Sequence, residues 1–229
     1  MKRLLTAIIA AALLLSGCTS ASQPAESAPP TAAAPSPSPT PVATPTPTPE
    51  PSDEELVLVD DYIPGIFIDL KYATTDNFTG RVIYDSDKAY LRYGTVKKLL
   101  SAQNELSSRG LSLKIWDAYR PVSAQFKLWE ICPNPVYVSN PNNGYSKHSR
   151  ANTVDITLVT DTGEIIPMPS GFDDFTALAD RDYSDVSAEA AENARLLESV
   201  MVENGFVPYS GEWWHYSDSV AYDVYEFLY

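Results

Sequence analysis

From Leu56 onward the apolar positions follow two rhythms, a period of two and a period of three to four, which separate strands from helices. Ile66, Ile68 and Leu70 alternate with Phe67 and Asp69, predicting a strand with one apolar face. The polar, aromatic run 71–80 predicts a long loop. Val96, Leu99, Leu100 and Leu106 recur at helical spacing behind Thr95, a suitable N-cap, and Gly110 supplies a stop. A strand is expected at 113–116, then a corner at Asp117-Ala118-Tyr119-Arg120-Pro121, because proline bars helix at the residue before it and suits the first turn of a new one. Val122, Phe126 and Trp129 mark one face of that new helix, and 133–145 reads as a loop.

Val154, Ile156 and Leu158 form a buried strand face, and Asp155 points the other way. Asp161-Thr162-Gly163-Glu164 is a hairpin-like turn. The irregular stretch holding Asp173, Asp174, Asp180, Asp182 and Asp185 is expected to be mostly solvated. Ser187 caps a last long helix with Ala190, Ala194, Leu197, Val200 and Met201 inward and Gly205 at its end. Residues 206–209 and 214–217 read as short strands around Ser210-Gly211, leaving Glu212 and His215 just past a turn. Helices and strands mix without a βαβ rhythm, which predicts a single α+β domain with a central, mainly antiparallel sheet flanked by helices.

Ahead of Leu56 the pattern changes. Lys2 and Arg3, the apolar run 4–15 and Leu15-Ser16-Gly17-Cys18 resemble a bacterial lipoprotein signal peptide, which would be removed at residues 1–17 and leave Cys18 lipidated. The apolar run is shorter than the roughly 20 residues of a membrane span. Residues 18–55 are rich in Ser, Ala, Thr and Pro, ending in Thr44-Pro45-Thr46-Pro47-Thr48-Pro49, the composition of a disordered tether biased to polyproline II. Residues 56–229 suffice for one continuous core. The expected location is the extracytoplasmic face of the bacterial membrane, lipid-anchored. A net charge of −14 argues against a basic surface for nucleic acid or anionic lipid. With Cys18 committed to lipid, Cys132 has no partner within the chain, so the domain must hold without a disulfide.

The chain contains two histidines. His148 lies in Ser146-Lys147-His148-Ser149-Arg150-Ala151-Asn152-Thr153-Val154-Asp155, and His215 lies in Gly211-Glu212-Trp213-Trp214-His215-Tyr216. A regular strand would send His148 and Asp155 to opposite faces, because their separation is an odd number of steps, so a bend is required within 149–152. Two imidazoles and a carboxylate suit a catalytic zinc, which takes three protein ligands and leaves a fourth position for water. His148, Asp155 and His215 supply those three. Glu212 is then free as a general base. Arg120, a long cation at a strand-to-helix corner, is placed either to stabilise an oxyanion or simply to bond a neighbouring carboxylate or loop carbonyl.

Asp76-Asn77-Phe78-Thr79-Gly80, Trp116-Asp117-Ala118-Tyr119-Arg120-Pro121, Ser146-Lys147-His148-Ser149-Arg150, Asp155-Ile156-Thr157-Leu158 and Glu212-Trp213-Trp214-His215-Tyr216 resemble, in order and spacing, the zinc D-alanyl-D-alanine dipeptidases of the VanX type. The resemblance covers essentially all of 56–229 and implies a hedgehog or D-Ala-D-Ala metallopeptidase-like fold with one zinc. It carries zinc ligation onto His148, Asp155 and His215, the base onto Glu212 and transition-state stabilisation onto Arg120. It further implies that Ser146 and Asp173 hold the substrate's ammonium, with Asp174 the competing choice, and that Tyr72 lines the pocket. Ala151 stands where the family usually has glycine, so the bend must form without one. The activity implied is hydrolysis of the D-Ala-D-Ala dipeptide. With a lipoprotein signal, that activity points to cell-wall turnover or salvage outside the membrane. Two alternatives are a D,D-carboxypeptidase trimming peptidoglycan stem peptides and a non-catalytic wall-binding module stapled by its metal.

Overall fold

The computed structural model describes residues 49–226; the expected signal segment 1–17, Cys18 and the expected tether up to residue 48 lie outside the described residues. A five-stranded sheet carries the fold. Its order is β2 (Phe67–Ile68), β4 (Leu111–Asp117), β5 (Thr153–Thr160), β7 (Glu212–Asp218) and β6 (Phe206–Tyr209); β2 and β4 are parallel and every other pair antiparallel. β1 (Leu56–Leu58) and β3 (Tyr90–Arg92) form a separate two-stranded ladder. Three α-helices are present among the described residues: α1 (Tyr93–Ser107), α2 (Val122–Ile131) and α3 (Ala188–Glu203).

Helices α1 and α3 pack against each other and against the sheet. Tyr216 faces α3, since Arg181 bridges its hydroxyl to Glu198 on that helix. Val154 is paired with Tyr216 and so shares that face. With Leu113, Ile115, Ile156 and Leu158, all at most 1% exposed, these residues form the core between sheet and helices. Burying each such side chain contributes about 1.5–3 kcal/mol. Asp155 and His215, one residue along their strands, therefore look out of the opposite face.

Several elements differ from the periodicity-based reading, each for a physical reason. Helix α1 starts at Tyr93, directly after β3, and not behind Thr95. The first free amides of α1 are taken by backbone carbonyls, Tyr93 N–H by Glu55 and Gly94 N–H by Asp53, while the buried Thr95 hydroxyl donates to Asp218. Residues 50–55, assigned to the tether by composition, are thus packed on α1, and Glu50 accepts from the Tyr93 hydroxyl. The strand predicted over 66–70 narrows to Phe67–Ile68. On α2 the buried positions are Ala124, Gln125 and Leu128, and Phe126 is exposed. A reading by apolar period cannot find that face, because a polar Gln125 occupies it.

Candidate active site

Three neighbouring strands deliver one row of polar side chains. Asp155 on β5 and His215 on β7 are directly paired and rise from the same face one cross-strand step apart. On β4 the pairing passes from Ile115↔Ile156 to Asp117↔Asp155, leaving Trp116 as an extra residue. Unbroken alternation would turn Asp117 toward the helices with Ile115, and the bulge re-aims it beside Asp155. The β6–β7 pairing is irregular as well, jumping from Pro208↔Tyr216 to Tyr209↔Glu212. Glu212 stands three residues before His215, on the far face of a regular strand. The irregularity returns it, with Oε2 3.4 Å from His215 Nδ1.

His148 arrives from outside the sheet. It sits on a single 3-10 turn, Lys147–Arg150, capped by Ser146, whose Oγ accepts from the His148 amide at 3.3 Å. Ala151 then reverses the chain at a φ of 58°. The required bend is therefore made by an alanine in the left-handed region, where a Cβ costs roughly 1–2 kcal/mol. His148 Nδ1 lies 2.9 Å from the Ala118 carbonyl, which can only accept, so Nδ1 carries the proton and Nε2 presents a lone pair. That Nε2 is 3.4 Å from His215 Nδ1 and 3.3 Å from Asp155 Oδ2, and His215 Nδ1 is 2.9 Å from Asp155 Oδ1.

This donor set fits zinc. Bonds of roughly 2.0–2.2 Å in a tetrahedron place neighbouring ligand atoms about 3.4 Å apart, close to the separations found. Burial pushes the Asp155 carboxyl up, but His148 and His215 outweigh it and hold the group well below the usual carboxylate range. Glu212 shifts the other way, raised by burial and then by the charge of Asp155.

Arg120 lies just past β4 and is buried. Its Nε and Nη2 donate to Asp117 Oδ2 at 3.1 and 2.6 Å, its Nη1 donates to Gln125 Oε1 at 2.9 Å, and its guanidinium sits 5.1 Å from the Tyr72 ring. The neighbouring carboxylate of a plainly structural arginine is present. Three of five N–H donors are spent on these partners, and the charge still acts on His148, Asp173 and Glu212. Tyr72 donates its hydroxyl to Asp173 Oδ2 at 2.7 Å. Burial lifts the Asp173 carboxyl to about 7, against the Tyr72 hydrogen bond and with the charge of Asp155. Asp174 is engaged elsewhere, its Oδ1 accepting from the Thr176 amide.

The sequence profile of a family described as D-ala-D-ala dipeptidase matches residues 52–226. The chain belongs to the D-Ala-D-Ala dipeptidase family. It is 39% identical over 162 residues to the D-alanyl-D-alanine dipeptidase of Escherichia coli (strain K12), across 71% of this chain and 83% of that protein. To the D-alanyl-D-alanine dipeptidase of Enterococcus faecium it is 36% identical over 178 residues, across 69% and 88%. A solved structure, VanYB in complex with D-Alanine-D-Alanine, covers 59% of this chain and 75% of that one at 16% identity and a TM-score of 0.40, a likeness too slight to bear on function. The D-Ala-D-Ala dipeptidase family is one of zinc metallopeptidases, so the chain is an enzyme of that class with the family's α+β fold.

In this member of the family the row opens onto a cleft of about 250 Å³ lined by Ser146, Glu212, His215, Tyr209 and residues 135–137. Tyr137 stacks on Phe175 at 4.3 Å, so the 133–145 loop and the loop bearing Asp173 meet beside it. A roomier groove of about 360 Å³, lined by Lys114, Trp116 and Met168, holds none of the expected site residues. Three residues were missed by sequence reasoning. Asp117 anchors Arg120, and its place three residues ahead of that arginine was the available signal. Gln125 and Arg181 gave none. Arg181 donates to the His215 and Tyr209 carbonyls and so ties the last residue of β6 to the middle of β7 at the irregular step of their pairing.

Proposed function

We propose that this chain hydrolyses the free D-Ala-D-Ala dipeptide with one zinc ion held by His148 Nε2, Asp155 and His215 Nδ1, outside the cytoplasm and tethered through Cys18. The reading is carried by one observation: three lone-pair donors converge within 4.8 Å of one another, with the Glu212 carboxylate 3.4 Å from one of them. When bound, zinc supplies Lewis acidity, polarising a carbonyl oxygen and lowering the pKa of water to about 7.

The chain's own residues do the rest. Glu212, raised toward the working range of a general base, takes a proton from the attacking water and returns it to the departing amine. Arg120, fixed by Asp117 and Gln125, turns its unspent N–H donors and its charge toward the oxyanion that develops on the scissile carbonyl. Asp173 receives the substrate's α-ammonium, held in place by Tyr72, and Ser146 lines the cleft with Glu212 and His215. Support for the substrate comes from the family and from the small cleft, which suits a dipeptide better than a long chain.

The zinc-loaded full chain is expected to release D-alanine from D-Ala-D-Ala, and Glu212→Ala to lower kcat by about 10²–10⁴-fold while still binding one zinc. Absence of turnover in the wild-type chain on every D,D-peptide tried would leave only a metal-stapled binding module. N-acetyl-D-Ala-D-Ala, which lacks the ammonium, is expected to be the poorer substrate. Equal rates on the two would favour the D,D-carboxypeptidase.

A further inference from the structure

The turn that bears His148 has little to hold it in place by itself. It is one turn of 3-10 helix followed by a left-handed alanine. The His148 carbonyl accepts from the Arg120 amide at 3.2 Å and the Ala151 amide at 3.0 Å, whereas the three carbonyls that follow take donors from outside the catalytic row. Ser149 C=O accepts from the Tyr225 amide at 2.8 Å, Arg150 C=O from Arg92 Nε at 3.1 Å, and Ala151 C=O from the Arg92 amide at 2.8 Å. The turn also reaches back, with Arg150 Nη1 donating to the Tyr222 carbonyl at 2.7 Å.

Arg92 is the hub of this arrangement. Only 7% exposed, it spends its guanidinium on three backbone carbonyls from three separate segments, those of Arg150, Glu54 and Asp223. Its charge lies 4.7 Å from the Tyr225 ring centre and 5.3 Å from that of Tyr222. The Tyr119 hydroxyl holds the Tyr225 carbonyl at 2.8 Å, and Tyr119 is the residue after Ala118, whose carbonyl orients the His148 ring. A buried guanidinium bonded to carbonyls has no counter-charge to offset its desolvation, and such an arrangement persists where the planar fork fixes geometry.

We propose that the segment 222–225, clamped by Arg92, is a strap that positions His148 and thereby sets the affinity of the metal site. The strap lies within the stretch matched by the family profile, which runs to residue 226. It rests on the proposed zinc ligation by His148. Arg92 and Tyr225 act through the turn and are positioning residues. The physical argument is one of tolerance: a ligand on an unsupported turn pays ordering entropy on binding, and outer-shell supports are commonly worth 10–100-fold in metal affinity.

The test uses the full chain carrying Arg92→Lys, which keeps the charge and loses the fork, and a second variant ending at Ala221. Arg109→Ala, at an exposed helix pair, is the control. Zinc affinity is measured by chelator competition and the opening of residues 146–155 by amide hydrogen exchange on the metal-free chain. Both strap variants are expected to bind zinc about 10–100-fold more weakly and to exchange faster across 146–155, with the control unchanged. If the shortened chain does not fold, Arg92→Lys decides. Wild-type zinc affinity and unchanged exchange in a folded Arg92→Lys chain overturn the strap. A wild-type chain that binds no zinc brings down the proposed function, and the exchange measurement then judges the strap on its own.

Discussion

At the scale of single residues the sharpest consequence concerns Asp173. Its carboxyl is lifted to about 7, chiefly by burial, from an ordinary value near 3.9. A raised carboxyl means that the folded chain holds a proton the unfolded chain has released between about pH 4 and 7, so stability declines as pH climbs through that window. Asp173→Asn removes this loss. In metal-free protein the variant is expected to melt higher than wild type at pH 8 and to lose that advantage at pH 4; equal melting temperatures at pH 8 would show that burial does not raise the Asp173 carboxyl. Substrate binding runs the opposite way, since an ammonium needs the ionised carboxylate. KM for the dipeptide is expected to rise as pH falls, and Asp173→Asn to flatten that rise at a uniformly high KM.

At the scale of elements, the row across β4, β5 and β7 places two carboxylates, Asp117 and Asp155, directly opposite each other. Like charges so placed are unfavourable unless a cation intervenes, and Arg120 is that cation for Asp117. Arg120→Met is therefore expected to lower stability by about 3–5 kcal/mol, because a buried carboxylate is left unpaired. Adding Asp117→Asn to Arg120→Met should recover part of that stability and none of the turnover. Recovery of kcat together with stability in the double variant would reduce Arg120 to a structural ion pair. The same elements show what the sequence could and could not disclose. That His148, Asp155, Glu212 and His215 come together was legible because there are only two histidines and because an odd spacing demanded a bend, and the structure makes that bend at Ala151 without glycine. The bulge at Trp116 and the jump in the β6–β7 register were not legible, since each depends on a partner strand far away in the chain. Helix α2 was misread for a related reason: its inward Gln125 accepts a buried hydrogen bond from Arg120, so a polar contact overrode the apolar period.

At the scale of the whole molecule, charge decides how the chain can meet a membrane. On the proposed processing the net charge of −14 would become −16, since Lys2 and Arg3 would depart with residues 1–17, which contain no other charged side chain. Such a surface is repelled by anionic lipid, so electrostatic adsorption cannot hold the domain there. Among the described residues no helix is long and apolar enough to cross a membrane. Attachment would then rest on acyl chains at Cys18, and one chain binds with only about 10⁴ M⁻¹, which makes multiple acylation the stable solution. Two results should follow in cell fractionation. High salt should leave the chain in the membrane fraction, because no ion pairs hold it, and Cys18→Ala should move it out of that fraction without changing kcat/KM on the free dipeptide. Salt extraction of the wild-type chain would mean that a protein or wall polymer retains it. A Cys18→Ala chain that stays membrane-bound would mean that the apolar run 4–15 is itself retained as the anchor.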